Sequence, residues 1–160
     1  MKRIIRAVVI TASDTRTPEN DLSGDALAEL LEEFGAMVID RRVVADDRES
    51  LGALLAGFAD SGEVDLIITT GGTGLGPRDV TPEATLDVID REAPGIAEAI
   101  RRETSEQAPG AMLSRGVAGV SGATLIINFP GSPKAVAQCF QVIRPVLQHA
   151  VDLVAGDTAH

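Results

Sequence analysis

Three short runs of β-branched residues, separated by segments with helical spacing, restrict the fold of this chain more than any other feature. Residues 4–12 (IIRAVVITA), 37–44 (MVIDRRVV) and 64–69 (VDLIIT) read as strands. The charges in the second run suggest partial exposure. Between the first two runs, Leu27, Leu30, Leu31 and Phe34 recur at helical spacing, with Ser23 as the expected cap and Gly35 as the stop. Leu51, Leu54, Leu55 and Phe58 do the same between the second and third, behind a capping Asp47. A β-α-β-α-β order needs crossovers that lay helices on the faces of a sheet. It predicts an α/β fold, a three-layer α/β/α sandwich with a mostly parallel central sheet.

The second half adds a small hairpin and more helix. Thr81-Pro82-Glu83 reads as a helix start, with Thr as cap, Pro in the first position and an acid in the first turn. This helix is expected to run to about Asp90, where Pro94-Gly95 breaks it, and a further helix to continue to about Glu106. Residues 107–115 read as irregular. Residues 116–120 and 123–128 alternate around Ser121-Gly122, a hairpin signal. After the tight turn at 129–134 (FPGSPK), Ser132 and Pro133 open a last helix carrying Val136, Phe140, Ile143, Leu147, Val151 and Val154, which Pro145 is expected to kink or divide. No repeat or linker interrupts the chain, so residues 1–160 are expected to form one domain, with the last few frayed.

Composition excludes several function classes. With 14 Lys and Arg against 24 Asp and Glu, the net charge of −10 argues against a general nucleic-acid binder, which gains affinity from cations on phosphates. Four Phe, no Tyr and no Trp leave no stacking platform for single strands. No apolar stretch approaches the ~20 residues of a membrane span, and no signal peptide follows the basic start. Cys139, the single cysteine, has no disulfide partner within the chain and no zinc-site spacing; it reads as a small core residue in a reducing, cytoplasmic setting. His149, within a helix, and the terminal His160 are given no role.

Four constellations carry chemistry. The first is residues 69–82 (TTGGTGLGPRDVTP), which follow a buried strand. Glycines there let the backbone approach an anion, peptide N–H groups can form a nest, and the next helix start adds a positive dipole end. The spacing is neither a Walker phosphate loop nor the dinucleotide fingerprint. Asp79, beside Arg78, suits magnesium binding or positioning of a nucleophile; it equally fits a helix-start carboxylate paired with Arg78. The second is Asp46-Asp47 after the second strand, where Asp46 is expected to face Asp79 across a cleft, or the pair to serve as solvated caps. The third is Pro130-Gly131-Ser132 with Lys134, an anion site or a plain connector at the same sheet edge. The fourth is Ser13-Asp14 and Ser114-Arg115, each within reach of the cleft, with Arg115 available to an anionic ligand or engaged structurally.

These residues also carry a resemblance. TTGGTGLGPRDVTPEA (69–84), LSRGVAG (113–119) and TLIINFPGSPKAV (124–136) resemble the MogA/MoaB molybdopterin-binding family, which includes the G domains of gephyrin and its plant counterpart. The resemblance spans nearly the whole chain. It implies an α/β/α fold, binding of magnesium-ATP and molybdopterin, and transfer of the adenylyl group to molybdopterin with release of pyrophosphate, before molybdate insertion. It implies two acidic positions at Asp46 and Asp79, which would serve both catalysis and metal binding, with Asp47 competing for the first. It implies nucleotide contacts from Gly71, Gly72, Thr73, Gly74, Pro130, Gly131 and Ser132, and substrate contacts from Ser13, Asp14, Arg78, Ser114, Arg115 and Lys134. A homotrimer, with a hexamer as the paired form, and handover to a molybdate-inserting protein follow from it too. Some MoaB-type relatives are not the required transferase, so a binding-only protein is the alternative. The intact GPRDVTPEA favours the enzyme.

Overall fold

The computed structural model describes residues 2–157. The expectations for His160 and for the end of the chain fall on residues 158–160, outside the described ones. Six strands form one sheet: β1 (Arg6–Ala12), β2 (Met37–Val44), β3 (Leu66–Thr70), β4 (Arg91–Glu92), β5 (Ala118–Ser121) and β6 (Thr124–Phe129). Their spatial order is β2-β1-β3-β6-β5-β4. β2, β1, β3 and β6 run parallel, while β5 is antiparallel to both β6 and β4. The sheet is therefore mostly parallel with one hairpin, as the strand and helix order requires.

Alternation along the strands sorts the helices into two layers. Ala7 and Val9 of β1, Leu66 and Ile68 of β3, and Leu125 and Ile127 of β6 face α1 (Leu22–Phe34), α4 (Pro94–Thr104) and α5 (Pro133–Val154), packing on Leu27, Leu31, Ile100, Phe140 and Ile143. Val8, Ile10, Ile67 and Ile126 point the other way, toward Leu51, Leu55 and Ala84 of α2 (Arg48–Asp60) and α3 (Thr81–Leu86). Both faces of β1, β3 and β6 are thus buried, which is why they read as apolar runs, whereas β2 at the sheet edge is partly exposed. Among the described residues Phe34 and Phe140 form an edge-to-face pair, 6.1 Å apart.

Several boundaries differ from those expected. Asp21, not Ser23, caps α1: its carboxylate accepts the Gly24 N–H at 3.0 Å and the Thr11 hydroxyl at 2.9 Å. Thr81 lies inside α3, after Val80 at the cap position, and its hydroxyl donates to the Gly71 carbonyl at 3.0 Å. α3 stops at Leu86 rather than Asp90 because the following chain pairs with β5; the Asp90 N–H donates to the Val120 carbonyl at 2.7 Å and β4 follows at once. Pro94 opens α4, and Pro145 lies exposed inside α5, which it does not divide. Pro145 lies on the outer side of that helix, where the carbonyl deprived of its N–H partner can meet solvent.

At the opposite end of the sheet a buried carboxylate meets two partly exposed arginines. Asp65 is 2% exposed and accepts from Arg3 at 2.6 Å and from the Arg6 guanidinium at 3.0 Å. Its burial alone would raise its pKa, but the hydrogen bonds from Arg6 and Arg3 prevail and bring it down to about 2. A depressed carboxyl pKa stabilises the fold above the unfolded value, and that contribution disappears as pH falls through the folded value. Asp65→Asn should therefore cost roughly 2 kcal/mol near pH 7, and the gap from the parent should close between about pH 4 and pH 2. Urea titrations across that range check this; a gap independent of pH would show that the charge is not responsible.

Candidate functional site

The chain leaves β1 toward β2 on one side and returns from β2 to β3 on the other, so β1 and β3 flank a topological switch point. Ligands of open α/β sheets bind beyond the carboxyl ends of the strands at such a point. Four connections meet there: residues 13–21 after β1, 45–47 after β2, 71–80 after β3 and 130–132 after β6. The glycine turn and the FPGSP turn are joined directly. The Gly71 N–H donates to the Phe129 carbonyl at 3.0 Å, and the Thr70 hydroxyl to the Pro130 carbonyl at 2.6 Å.

Asp46 and Asp47 separate in role. Asp47 caps α2, its carboxylate accepting the Ser50 N–H at 2.8 Å. Asp46 turns inward: its Oδ2 accepts the Asp14 N–H at 3.0 Å, and its own N–H donates to Asp14 Oδ1 at 3.0 Å. Asp46 Oδ1 is buried with no hydrogen-bond partner. It lies against the glycine turn, 3.1 Å from where a Cβ on Gly72 would stand. Asp79 borders the same turn, its Oδ2 accepting the Gly76 N–H at 2.9 Å. Burial, with the charges of Asp14 and Asp79, pushes the Asp46 carboxyl above the ordinary carboxylate range. A buried, partnerless oxygen among like charges is unfavourable in the free protein. It is the environment a cation would relieve.

Arg78 bridges this group from the outside. Its guanidinium makes two 3.0 Å bonds to the Asp14 carboxylate and is 66% exposed, so it is accessible to an arriving anion. The Arg78 guanidinium, together with the Asp46 N–H, holds the Asp14 carboxyl below the usual carboxylate range.

The remaining expected residues divide. Ser13 and Ser132 hold local turns, Ser13 accepting from the Thr15 and Arg16 N–H groups and Ser132 from that of Ala135. Lys134 is exposed on the first turn of α5. Arg115, expected either to be available to an anion or to be engaged structurally, points into the glycine turn and binds the Gly74 and Asp79 carbonyls and the Glu83 carboxylate. Ser114 accepts the Gly116 N–H at 3.2 Å and lines a mostly apolar cavity of about 300 Å³ together with Thr73, Gly74, Pro130 and Cys139. The three motifs singled out in the sequence converge on that cavity. Burial pushes the Cys139 thiol up to about 12, so at neutral pH it is a protonated wall residue and no nucleophile. A larger cavity, about 710 Å³, lies between β2 and α2 and is lined by Arg6, Ile39, Leu54 and Phe58; it contains no motif residue.

Sequence reasoning missed two residues that shape the site. Asn128 is 4% exposed in β6 and donates to the Thr69 and Thr85 hydroxyls at 2.9 and 3.0 Å, while its carbonyl accepts the Val117 N–H. It ties β3, α3 and the segment before β5 together beneath the glycine turn. The available signal was a polar residue inside the apolar run TLIINF. Asp21, likewise 2% exposed, anchors the loop that carries Asp14, and its signal was an acid just before a helix.

Fold and site thus define an open-sheet α/β protein with its ligand crevice at the switch point and a glycine-lined, acid-flanked turn in it. The chain belongs to the family described as a probable molybdopterin binding domain, which matches residues 8–149. A relative named molybdopterin adenylyltransferase, from Helicobacter pylori strain J99, is 39% identical over 153 residues, covering 93% of this chain and 87% of that protein. The Drosophila melanogaster molybdenum cofactor synthesis protein cinnamon is 44% identical over 154 residues, but the match takes up 94% of this chain and only 26% of that longer protein. The crystal structure of the molybdopterin biosynthesis enzyme MoaB from Thermus thermophilus superposes with a TM-score of 0.88 at 43% identity, covering 96% of this chain and 98% of that one.

Proposed function

We propose that this chain is a molybdopterin adenylyltransferase of molybdenum cofactor biosynthesis, transferring AMP from ATP to the terminal phosphate of molybdopterin and releasing pyrophosphate. The observation that carries the reading is Asp46: a carboxylate oxygen buried without a partner, pressed against a glycine turn that Asp79 flanks from its other end. Membership of the family and the name of the Helicobacter pylori relative support the substrate.

In this reaction a phosphate oxygen attacks the α-phosphorus of ATP, one P–O bond forms, and the bond to pyrophosphate breaks. Both reactants are anions, so the barrier is largely repulsion and positioning. A magnesium ion held by Asp46 and Asp79 would offset that charge when bound with the nucleotide; the donor set, two carboxylates beside phosphate oxygens, suits a hard cation. The chain's own contributions are the backbone of Gly71, Gly72, Thr73 and Gly74, which can approach phosphates closely, and Arg78, which can exchange Asp14 for a phosphate. The 300 Å³ cavity beside Ser114 is of a size to take the pterin. No activated serine or cysteine is needed, in keeping with the protonated Cys139.

The same reading makes the protein a cytoplasmic homotrimer, with a hexamer as the paired form, that passes its product to a molybdate-inserting protein; sedimentation velocity tests the trimer. Among the described residues no helix is long and apolar enough to cross a membrane. Incubation with magnesium-ATP and molybdopterin should yield equal amounts of pyrophosphate and adenylylated pterin. Binding of both ligands without turnover would replace the enzyme with a binding module.

A further inference from the structure

We infer that Arg115 is a positioning residue for Asp79: its guanidinium clamps the glycine turn from behind and thereby sets where the Asp79 carboxylate stands. The inference rests on the adenylyltransferase reading for its kinetic consequences and on geometry alone for the clamp.

Three bonds from one residue hold the turn, and a fourth fixes its side chain. The Arg115 N–H donates to the Thr73 carbonyl at 2.8 Å, Nε to the Gly74 carbonyl at 2.8 Å, and an Nη to the Asp79 carbonyl at 2.7 Å. The other Nη donates to the Glu83 carboxylate at 2.7 Å. The clamped carbonyls of Gly74 and Asp79 bracket the exposed stretch Leu75–Arg78, which is otherwise tethered through the Arg78 side chain to Asp14. Within that stretch the internal bonds are those between Gly76 and Asp79. The turn lacks regular structure and is rich in glycine, so left alone it would sample many conformations. A planar guanidinium spans two carbonyls and a carboxylate at once, whereas a lysine ammonium on a flexible stem is a single point charge. Glu83 sits in the first turn of α3, a rigid element, and anchors the outer end of the fork. The geometry accordingly separates two tasks: the Glu83 contact fixes the guanidinium, and the carbonyl contacts fix the turn.

Two substitutions pull these tasks apart. Arg115→Lys keeps a cation near Glu83 but cannot bridge both carbonyls. Its kcat should fall about 10- to 100-fold, the range seen when residues supporting a metal ligand are changed. The magnesium concentration for half-maximal rate should rise, and the KM for molybdopterin should stay within about threefold. Glu83→Gln retains an acceptor for the guanidinium and should keep kcat within about threefold of the parent. Amide exchange across residues 73–79, measured without ligands, should speed up in Arg115→Lys and not in Glu83→Gln, with both variants folded by circular dichroism. Parental kcat and magnesium dependence in Arg115→Lys, or equal loss of kcat in the two variants, would overturn the proposal. If the parent itself shows no turnover, the adenylyltransferase reading has failed; the exchange measurement then decides the clamp by itself, and unchanged exchange in Arg115→Lys refutes it.

Discussion

Asp46→Asn is expected to lower the rate of pyrophosphate release roughly 10²- to 10³-fold, the usual cost of losing one well-placed electrostatic contributor at a reacting centre. The substitution is nearly isosteric. An amide oxygen can still accept the Asp14 N–H that Oδ2 now accepts at 3.0 Å, so the loop pairing between the β1 and β2 connections is kept. What is lost is the negative charge at the buried oxygen against the glycine turn. Stability should move the other way. Burial first, then Asp14 and Asp79, raises the Asp46 carboxyl above its ordinary range. A folded-state pKa raised for an acid means that its ionised form opposes folding, at all pH values above the folded pKa. The asparagine variant should therefore melt at or above the parental temperature at pH 7, and lose that advantage as pH falls toward the ordinary carboxylate range. Initial rates at saturating magnesium-ATP, paired with thermal unfolding at two pH values, give both readouts. A rate within threefold of the parent would remove Asp46 from the chemistry, and a large drop in melting temperature would make it a structural residue. Lost activity with retained or improved stability is the mark of a group kept for function.

Gly71→Ala should destabilise the fold by about 3 to 5 kcal/mol, combining the strain of a left-handed non-glycine residue with an overpacked contact. Gly71 has φ of +96°, and a Cβ there would collide with the Ala12 carbonyl oxygen. That oxygen belongs to the central strand β1 and cannot swing aside, and Gly71 is also bonded through its N–H to Phe129. Gly35 supplies the control. Its φ is +101°, but a Cβ there would meet nothing within 4 Å. Gly35→Ala carries the backbone strain without the collision and should cost about 1 to 2 kcal/mol. For a chain of this length the first change corresponds to a fall of roughly 10 °C in melting temperature and the second to a few degrees. Equal losses at the two positions would mean that the turn yields, and that β1 and the glycine turn are not in the tight contact described above.

Much of this architecture could be read from local pattern. The three apolar runs became β1, β2 and β3, because β-branched residues bounded by turns have few other uses. The Asp47 cap and the hairpin around Ser121-Gly122 were likewise legible, since the interactions that make them lie within a few residues. The end of α3 was not legible, because its cause is distant in the chain. α3 ends early because Asp90 and Arg91–Glu92 pair with Gly119 and Val120, nearly thirty residues on. Two residues on a sheet edge leave no periodicity to detect.

The motifs also told which residues would gather: the glycine turn, the acids, the LSR segment and FPGSP all sit at the carboxyl edge of the sheet or beside it. Their orientations came from elsewhere. Asp47 was legible as the cap of α2, but the inward turn of its neighbour Asp46 depends on pairing with Asp14, far earlier in the chain. Arg115 reads equally as a ligand for an anion or a strut, and its direction depends on carbonyls forty residues earlier in the chain. The sequence by itself determined the order of elements, the aliphatic core and the membership of the crevice, because periodicity, capping and glycine content are local properties. The tertiary structure alone decided which carboxylate oxygen is left without a partner and which cation is spent on the backbone, because hydrogen bonds between distant segments are settled only when the strands are packed side by side.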